Sequence, residues 1–134
     1  MKPPTVAELR WTGGLAFHAT SAAASITIDG DSREGASPVQ LLAMSLAGCM
    51  AADVVHILVK GRHALNGLRT EIVADRAQDN PHRFTRITLR FTVEGDVPGD
   101  AVERAIALSH DKYCSVWHSM RQDIELTTAF DVVA

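Results

Sequence analysis

The chain has 134 residues, of which 46% are hydrophobic and 22% charged, and its formal net charge is −3. That length amounts to one domain, and the composition is ordinary for a soluble globular protein. Acidic and basic residues are mixed along the chain without a basic run or tail, which argues against a nucleic-acid or anionic-membrane partner.

The first ten residues, Met1 to Arg10, hold no apolar core of the kind a secretory signal needs. With two cysteines, too few for a disulfide-stapled scaffold, the expectation is a cytoplasmic protein with reduced thiols. Val6–Trp11, Leu15–Thr20 and Ser25–Asp29 are predicted strands, separated by Thr12-Gly13-Gly14 and by a small turn near Ser21, as in a β-meander. A loop follows from Gly30 to Ala36. Ser37-Pro38 then opens a helix, because serine caps well and proline is tolerated at the first helical position. The helix is expected to run to Lys60, with Gly61 as its stop. Leu68–Ala74 and Thr85–Val93 alternate apolar and polar residues and read as strands joined by the turn-rich Ala77–His82. Asp100–Tyr113 carries apolar residues at Val102, Ala105, Ile106 and Leu108, as an amphipathic helix does. Cys114–Arg121 is predicted as a further short helix, and Ile124–Val133 as a closing strand. The order β-β-β-α-β-β-α-α-β, joined mostly by hairpins, is that of an α+β protein, read as one domain over residues 1–134.

The long helix carries a further inference. Leu41, Leu42, Met44, Leu46, Cys49, Met50, Val54, Val55, Ile57 and Leu58 cover nearly its whole circumference. Its length raises the question of a membrane span, but Asp53 and His56 fall inside it, and a charge near mid-bilayer is costly. The helix is therefore read as a buried one that must be covered on every side. One small sheet covers one side only, so the remaining face is expected to meet a second copy of the chain in an apolar homodimer interface.

Cys49 lies in this apolar helix, and Cys114 in His110-Asp111-Lys112-Tyr113-Cys114-Ser115. A thiol must ionise to act as a nucleophile, and apolar burial opposes that. The helix dipole fades within the first turn, whereas Cys49 is about three turns from Ser37. A reactive Cys49 therefore needs a cation, and Arg10 and Arg33 are the candidates; otherwise Cys49 is an inert core residue. A chain break at Asp111–Tyr113 would put Cys114 at a helix N-terminus, where backbone N–H groups favour an anion. For Cys114, structural and functional roles both stay open. On one unbroken helix His110, Cys114 and His118 would share a face as a three-ligand zinc set, an alignment that the break would destroy. No Cys-x-x-Cys, P-loop or dinucleotide glycine motif is present.

Taken together, the segment from Ser37-Pro38 through Gly48-Cys49 and Asp53 to Leu58, and the segment from Leu108 through Tyr113-Cys114 to Val116, resemble the OsmC/Ohr family, nearest its OsmC-like, YhfA-type branch. The resemblance runs over nearly the whole chain. It implies an intertwined α+β homodimer with its long apolar helices packed between antiparallel sheets. It also implies a thiol-dependent peroxidase acting on organic hydroperoxides in oxidative-stress protection. Cys49 would attack the peroxide and become a sulfenic acid. Cys114 would condense with it to a disulfide, which an external thiol or dithiol reduces without any cofactor. Apolar neighbours of Cys49 (Leu42, Leu46 and Met50) would favour an alkyl hydroperoxide. Arg10 corresponds to the family's activating arginine. The glutamate that usually partners it is absent, since Val39 and Gln40 occupy those positions; Gln40 or Glu34 would support Arg10 instead. That departure leaves a second reading, a dimer that binds a small molecule with weak or no peroxidase activity.

Overall fold

The opening meander follows its turn signals. In the computed structural model, which describes residues 1–134, β1 (Glu8–Gly13), β2 (Ala16–Ser21) and β3 (Ala24–Asp29) form an antiparallel sheet in that order. Arg10 lies opposite His18 and Thr27, while Leu9 meets Ala19 and Ile26, and Trp11 meets Phe17 and Ile28. Strand alternation therefore sorts the sheet into a polar face bearing Arg10 and an apolar face. Leu9, Trp11 and Ile26 on the apolar face are 53%, 65% and 46% exposed.

Asp29 ends β3 and organises the loop behind it. Its buried carboxylate accepts hydrogen bonds from the backbone N–H groups of Asp31, Arg33 and Glu34 at 2.8, 3.3 and 3.0 Å. These bonds, the one from Glu34 foremost, hold its pKa below the usual carboxylate value. Gly35 is required here, because a Cβ would collide with the Thr27 carbonyl oxygen.

Helix α1 spans Pro38–Lys60. Ser37 caps it more fully than a lone serine does: the Gln40 N–H donates to Ser37 Oγ (3.1 Å) and the Ser37 N–H donates to Gln40 Oε1 (2.9 Å). This reciprocal pair is a capping box. At the far end the N–H groups of Arg62 and His63 reach back to the carbonyls of Val59 and Leu58. Arg62, not Gly61, takes the left-handed backbone that closes the helix.

Internal contacts divide the chain into two units, Met1–Leu42 and Ala43–Ala134, with the boundary inside α1. The second unit holds the rest of α1, a hairpin of β4 (Ala64–Arg76) and β5 (Phe84–Asp96), α2 (Gly99–Leu108), two short helical turns and β6 (Glu125–Val133). Its sheet has the order β4-β5-β6. Here the expectation of wholly antiparallel sheets is corrected, because β6 runs parallel to the central strand β5. The connection between them carries α2 and the two turns, which returns the chain to the starting end of β5, as a parallel pair requires.

Ile87, Leu89, Phe91 and Val93 alternate along β5 and are fully buried. Leu46, Met50, Val54 and Leu58 repeat every four residues along α1 and are fully buried too, joined by Val102 and Ala105 of α2. Each large side chain buried in this way contributes about 1.5–3 kcal/mol. The opposite stripe of α1 is equally apolar but open, with Met44, Val55 and Val59 at 50%, 37% and 57% exposure. By length and composition α1 could cross a membrane, yet its buried stripe belongs to the core of the second unit.

Candidate active site

The two cysteines meet inside the second unit. Cys49 comes from the middle of α1, and Cys114 from the chain just past α2. Their Sγ atoms and a carboxylate oxygen of Asp53 lie within 4.8 Å of one another. Asp53 follows Cys49 by one helical turn, so both side chains leave the same face of α1. Both thiols are free; Cys49 is half-buried and Cys114 fully buried.

Local backbone geometry delivers Cys114. The expected continuous helix to Tyr113 instead ends as α-helix at Leu108, and Ser109–Tyr113 forms a π-helical turn. The Cys114 N–H bonds the Ser109 carbonyl five residues back, at 2.8 Å. Such wide turns recur at functional sites. The His110 carbonyl accepts a hydrogen bond from His118 Nε2 at 2.8 Å. His110 itself turns its Nδ1 to Asp111 at 2.7 Å. Both imidazoles are thus engaged elsewhere, and His110, Cys114 and His118 do not form the zinc set that an unbroken helix would have made. The helix expected over Cys114–Arg121 shrinks to a single 3₁₀ turn, Trp117–Ser119.

Cys114 does lie at the start of a turn, and the Trp117 N–H points at its Sγ at 3.4 Å. That favours a thiolate, as the sequence implied, but burial outweighs it. Desolvation foremost, then the hydrogen bond and charge of Cys49, push the Cys114 pKa from 9.0 up to about 11. Cys114 is therefore held as a thiol at neutral pH.

Ser109 completes the cluster. It is fully buried, and its hydroxyl donates to Asp53 Oδ2 at 2.8 Å. Sequence reasoning used Asp53 as a charge that spoils a membrane span and as part of the motif that carries the resemblance, gave it no role in the site, and passed over Ser109. The four-residue interval from Cys49 to Asp53 was the available signal for the first; nothing local marks the second. Cys49, Asp53 and Cys114 are also near enough to share one cation. Three such donors would leave one position of a tetrahedral zinc open.

The other expected site residues belong to the first unit. Arg10 sits on the polar face of its sheet in an exposed position. Gln40 Oε1 accepts from both Ser32 Oγ (2.5 Å) and the Ser37 N–H (2.9 Å). Its two lone pairs are thus taken, and the expected Gln40–Arg10 hydrogen bond does not form; Gln40 serves the helix cap. Glu34 is exposed and uses its backbone N–H to hold Asp29. Leu46 and Met50 are sealed in the core and line no open pocket, while Leu42 is exposed.

The sequence profile of OsmC-like proteins matches residues 29–129. The chain belongs to the OsmC-like family. Among this family member's relatives is Protein YhfA of Escherichia coli K12, 39% identical over 131 residues that cover 96% of this chain and 98% of YhfA. A hypothetical protein from Aquifex aeolicus VF5 superposes with a TM-score of 0.91 at 27% identity, over 98% of this chain and 97% of that one. An organic hydroperoxide resistance protein, OsmC, from Legionella pneumophila superposes with a TM-score of 0.72 at 16% identity, over 97% and 98%. At that identity the likeness is one of fold.

Proposed function

We propose that this OsmC-like protein reduces organic hydroperoxides to alcohols with its two cysteines. The observation that carries the proposal is the convergence of the chain's only two thiols, from distant segments, to within 4.8 Å. The organic hydroperoxide resistance named for the Legionella fold relative supports the substrate class. Accessibility and protonation divide the labour: Cys49 is half-exposed and attacks, while Cys114 is buried, protonated and resolves.

In the first step Cys49 Sγ takes the terminal oxygen of the hydroperoxide. The O–O bond breaks, an alcohol leaves and Cys49 becomes a sulfenic acid. In the second step Cys114 Sγ displaces that oxygen as water, giving the Cys49–Cys114 disulfide, which a thiol or dithiol then reduces. Arg10 is assigned as the cation that favours the Cys49 thiolate, with Glu34 as its remaining carboxylate partner. The protein is assigned as a homodimer. The open apolar stripe of α1 (Met44, Val55, Val59) supports this, and so, separately, does the apolar face of the first sheet (Leu9, Trp11, Ile26). The engagement of Gln40 in the helix cap favours the second reading, a non-catalytic or small-molecule-binding dimer with weak or no peroxidase activity.

One equivalent of cumene hydroperoxide added to the reduced protein separates the two readings. Loss of two hydrogens by mass, with a linked Cys49–Cys114 peptide, is expected; persistent free thiols would defeat the peroxidase reading. Light scattering should give a dimer mass, and a monomer would defeat that assignment.

A further inference from the structure

The cluster contains a carboxylate that the two-thiol scheme does not use. Asp53 leaves α1 one turn after Cys49, and one of its oxygens is within 4.8 Å of both sulfurs. Its Oδ2 accepts a hydrogen bond from the buried Ser109 hydroxyl at 2.8 Å, which orients the carboxylate beside the thiols. A half-buried carboxylate beside two thiols gains nothing for the packing of α1, whose buried stripe is otherwise apolar.

The chemistry of resolution shows what it can do. Cys114 must lose its proton to attack, yet with a pKa of about 11 only about one molecule in ten thousand is a thiolate at pH 7. The oxygen that leaves Cys49 must gain a proton, because hydroxide is a poor leaving group. The same proton can satisfy both needs if a base lies between them.

We infer that Asp53 relays the proton from Cys114 Sγ to the oxygen leaving Cys49 during disulfide formation, with Ser109 as its positioning residue. The inference rests on the resolving role of Cys114 given above. As the S–S bond forms, the S–H bond of Cys114 breaks and its proton passes to the Asp53 carboxylate. The S–O bond of the Cys49 sulfenic acid breaks, and the oxygen leaves as water with that proton. Cys49–SOH and Cys114–SH become a disulfide and one water, and the carboxylate is regenerated. Transfer bridged by one water, or after a small side-chain rotation, is within reach of a general base.

Other titratable groups of the neighbouring elements are directed elsewhere. His110 meets Asp111, His118 meets the His110 carbonyl, and Lys112 lies over the Tyr113 ring. Cys49 is the titratable side chain that acts on Cys114 electrostatically, and Asp53 is the carboxylate near both sulfurs.

The test follows the second step alone, with and without peroxide. Reduced protein is mixed with 4,4′-dithiodipyridine, which caps Cys49 and releases one thiopyridone; attack by Cys114 then releases a second. The same variants are mixed with cumene hydroperoxide, and disulfide formation is read by acid quench and mass. Asp53→Asn should slow the second phase about 100-fold in both assays, within the usual range for a general base. It should also make that phase rise about tenfold per pH unit between pH 7 and 9, whereas the native rate is nearly flat there. Asp53→Glu, which keeps the carboxylate, should recover most of the rate. A second phase in Asp53→Asn with native rate and native pH dependence would overturn the inference. So would a native second phase that itself climbs tenfold per pH unit, a measurement that needs no variant. If peroxide is not consumed while the dipyridyl assay shows the Asp53 dependence, the peroxidase reading fails and what stands is Asp53 as the base that deprotonates Cys114.

Discussion

Replacing Ser109 by alanine removes one hydrogen bond and almost no volume, so the substitution isolates the Asp53–Ser109 contact. The bond is 2.8 Å long, its donor is fully buried, and its acceptor is a carboxylate on α1 reached from 56 residues away. A hydrogen bond to a charged group contributes about 1.5–3 kcal/mol. Because Asp53 is only half-buried and water competes for its oxygens, about 1–2 kcal/mol is expected here. For a chain of this length each kcal/mol moves Tm by roughly 3–6 °C, so Ser109→Ala should lower Tm by about 5 °C. The measurement is thermal unfolding followed by near-ultraviolet circular dichroism on fully reduced protein. Protein concentration must be held fixed, because association would raise the apparent Tm. Asp53→Ala and the double variant complete a cycle, whose coupling energy should be about 1 kcal/mol or more. Additive effects, or a Ser109→Ala Tm within a degree of native, would show that the contact does not hold the site.

The raised Cys114 pKa has a stability consequence. A group protonated more firmly in the folded state stabilises fully below its unfolded pKa, near 9.0, and loses that contribution as pH rises through about 11. Reduced protein should therefore lose stability to urea between pH 9 and 11, and Cys114→Ala should flatten that loss. Gln40→Ala breaks the capping box and should cost about 0.5–2 kcal/mol. The pH profile of Cys49 alkylation should stay native in that variant; a shifted profile would return Gln40 to the site. Val55→Asp puts a charge on the open stripe of α1 and should convert the dimer to a monomer by light scattering, and an unchanged mass would move the interface elsewhere.

Local rules carried most of the architecture. Turn residues marked the meander, and Ser37-Pro38 placed the start of α1 to the residue. The even spread of apolar residues around α1 foretold that one core could not cover it, and the open stripe bears that out. The capping box was also legible, since glutamine stands three residues after Ser37. Strand ends were less exact: β4 runs from Ala64 to Arg76 and not from Leu68 to Ala74, because it continues across a bulge between Leu65 and Gly67. The parallel pairing of β6 was not legible, since a strand's own pattern does not reveal the direction of its neighbour.

The sequence by itself determined the family, the order of elements and which two residues carry sulfur. Each of these depends on residue type and near-neighbour spacing, which survive in one dimension. Tertiary structure decided how closely the thiols approach, that burial raises the Cys114 pKa and that Asp53 stands beside them held by Ser109. Those facts depend on distances between segments far apart in the chain and on how much water folding removes. Cys114 shows the division most sharply: its place at the start of a turn favours the thiolate, and the burial that only the fold supplies reverses the sign.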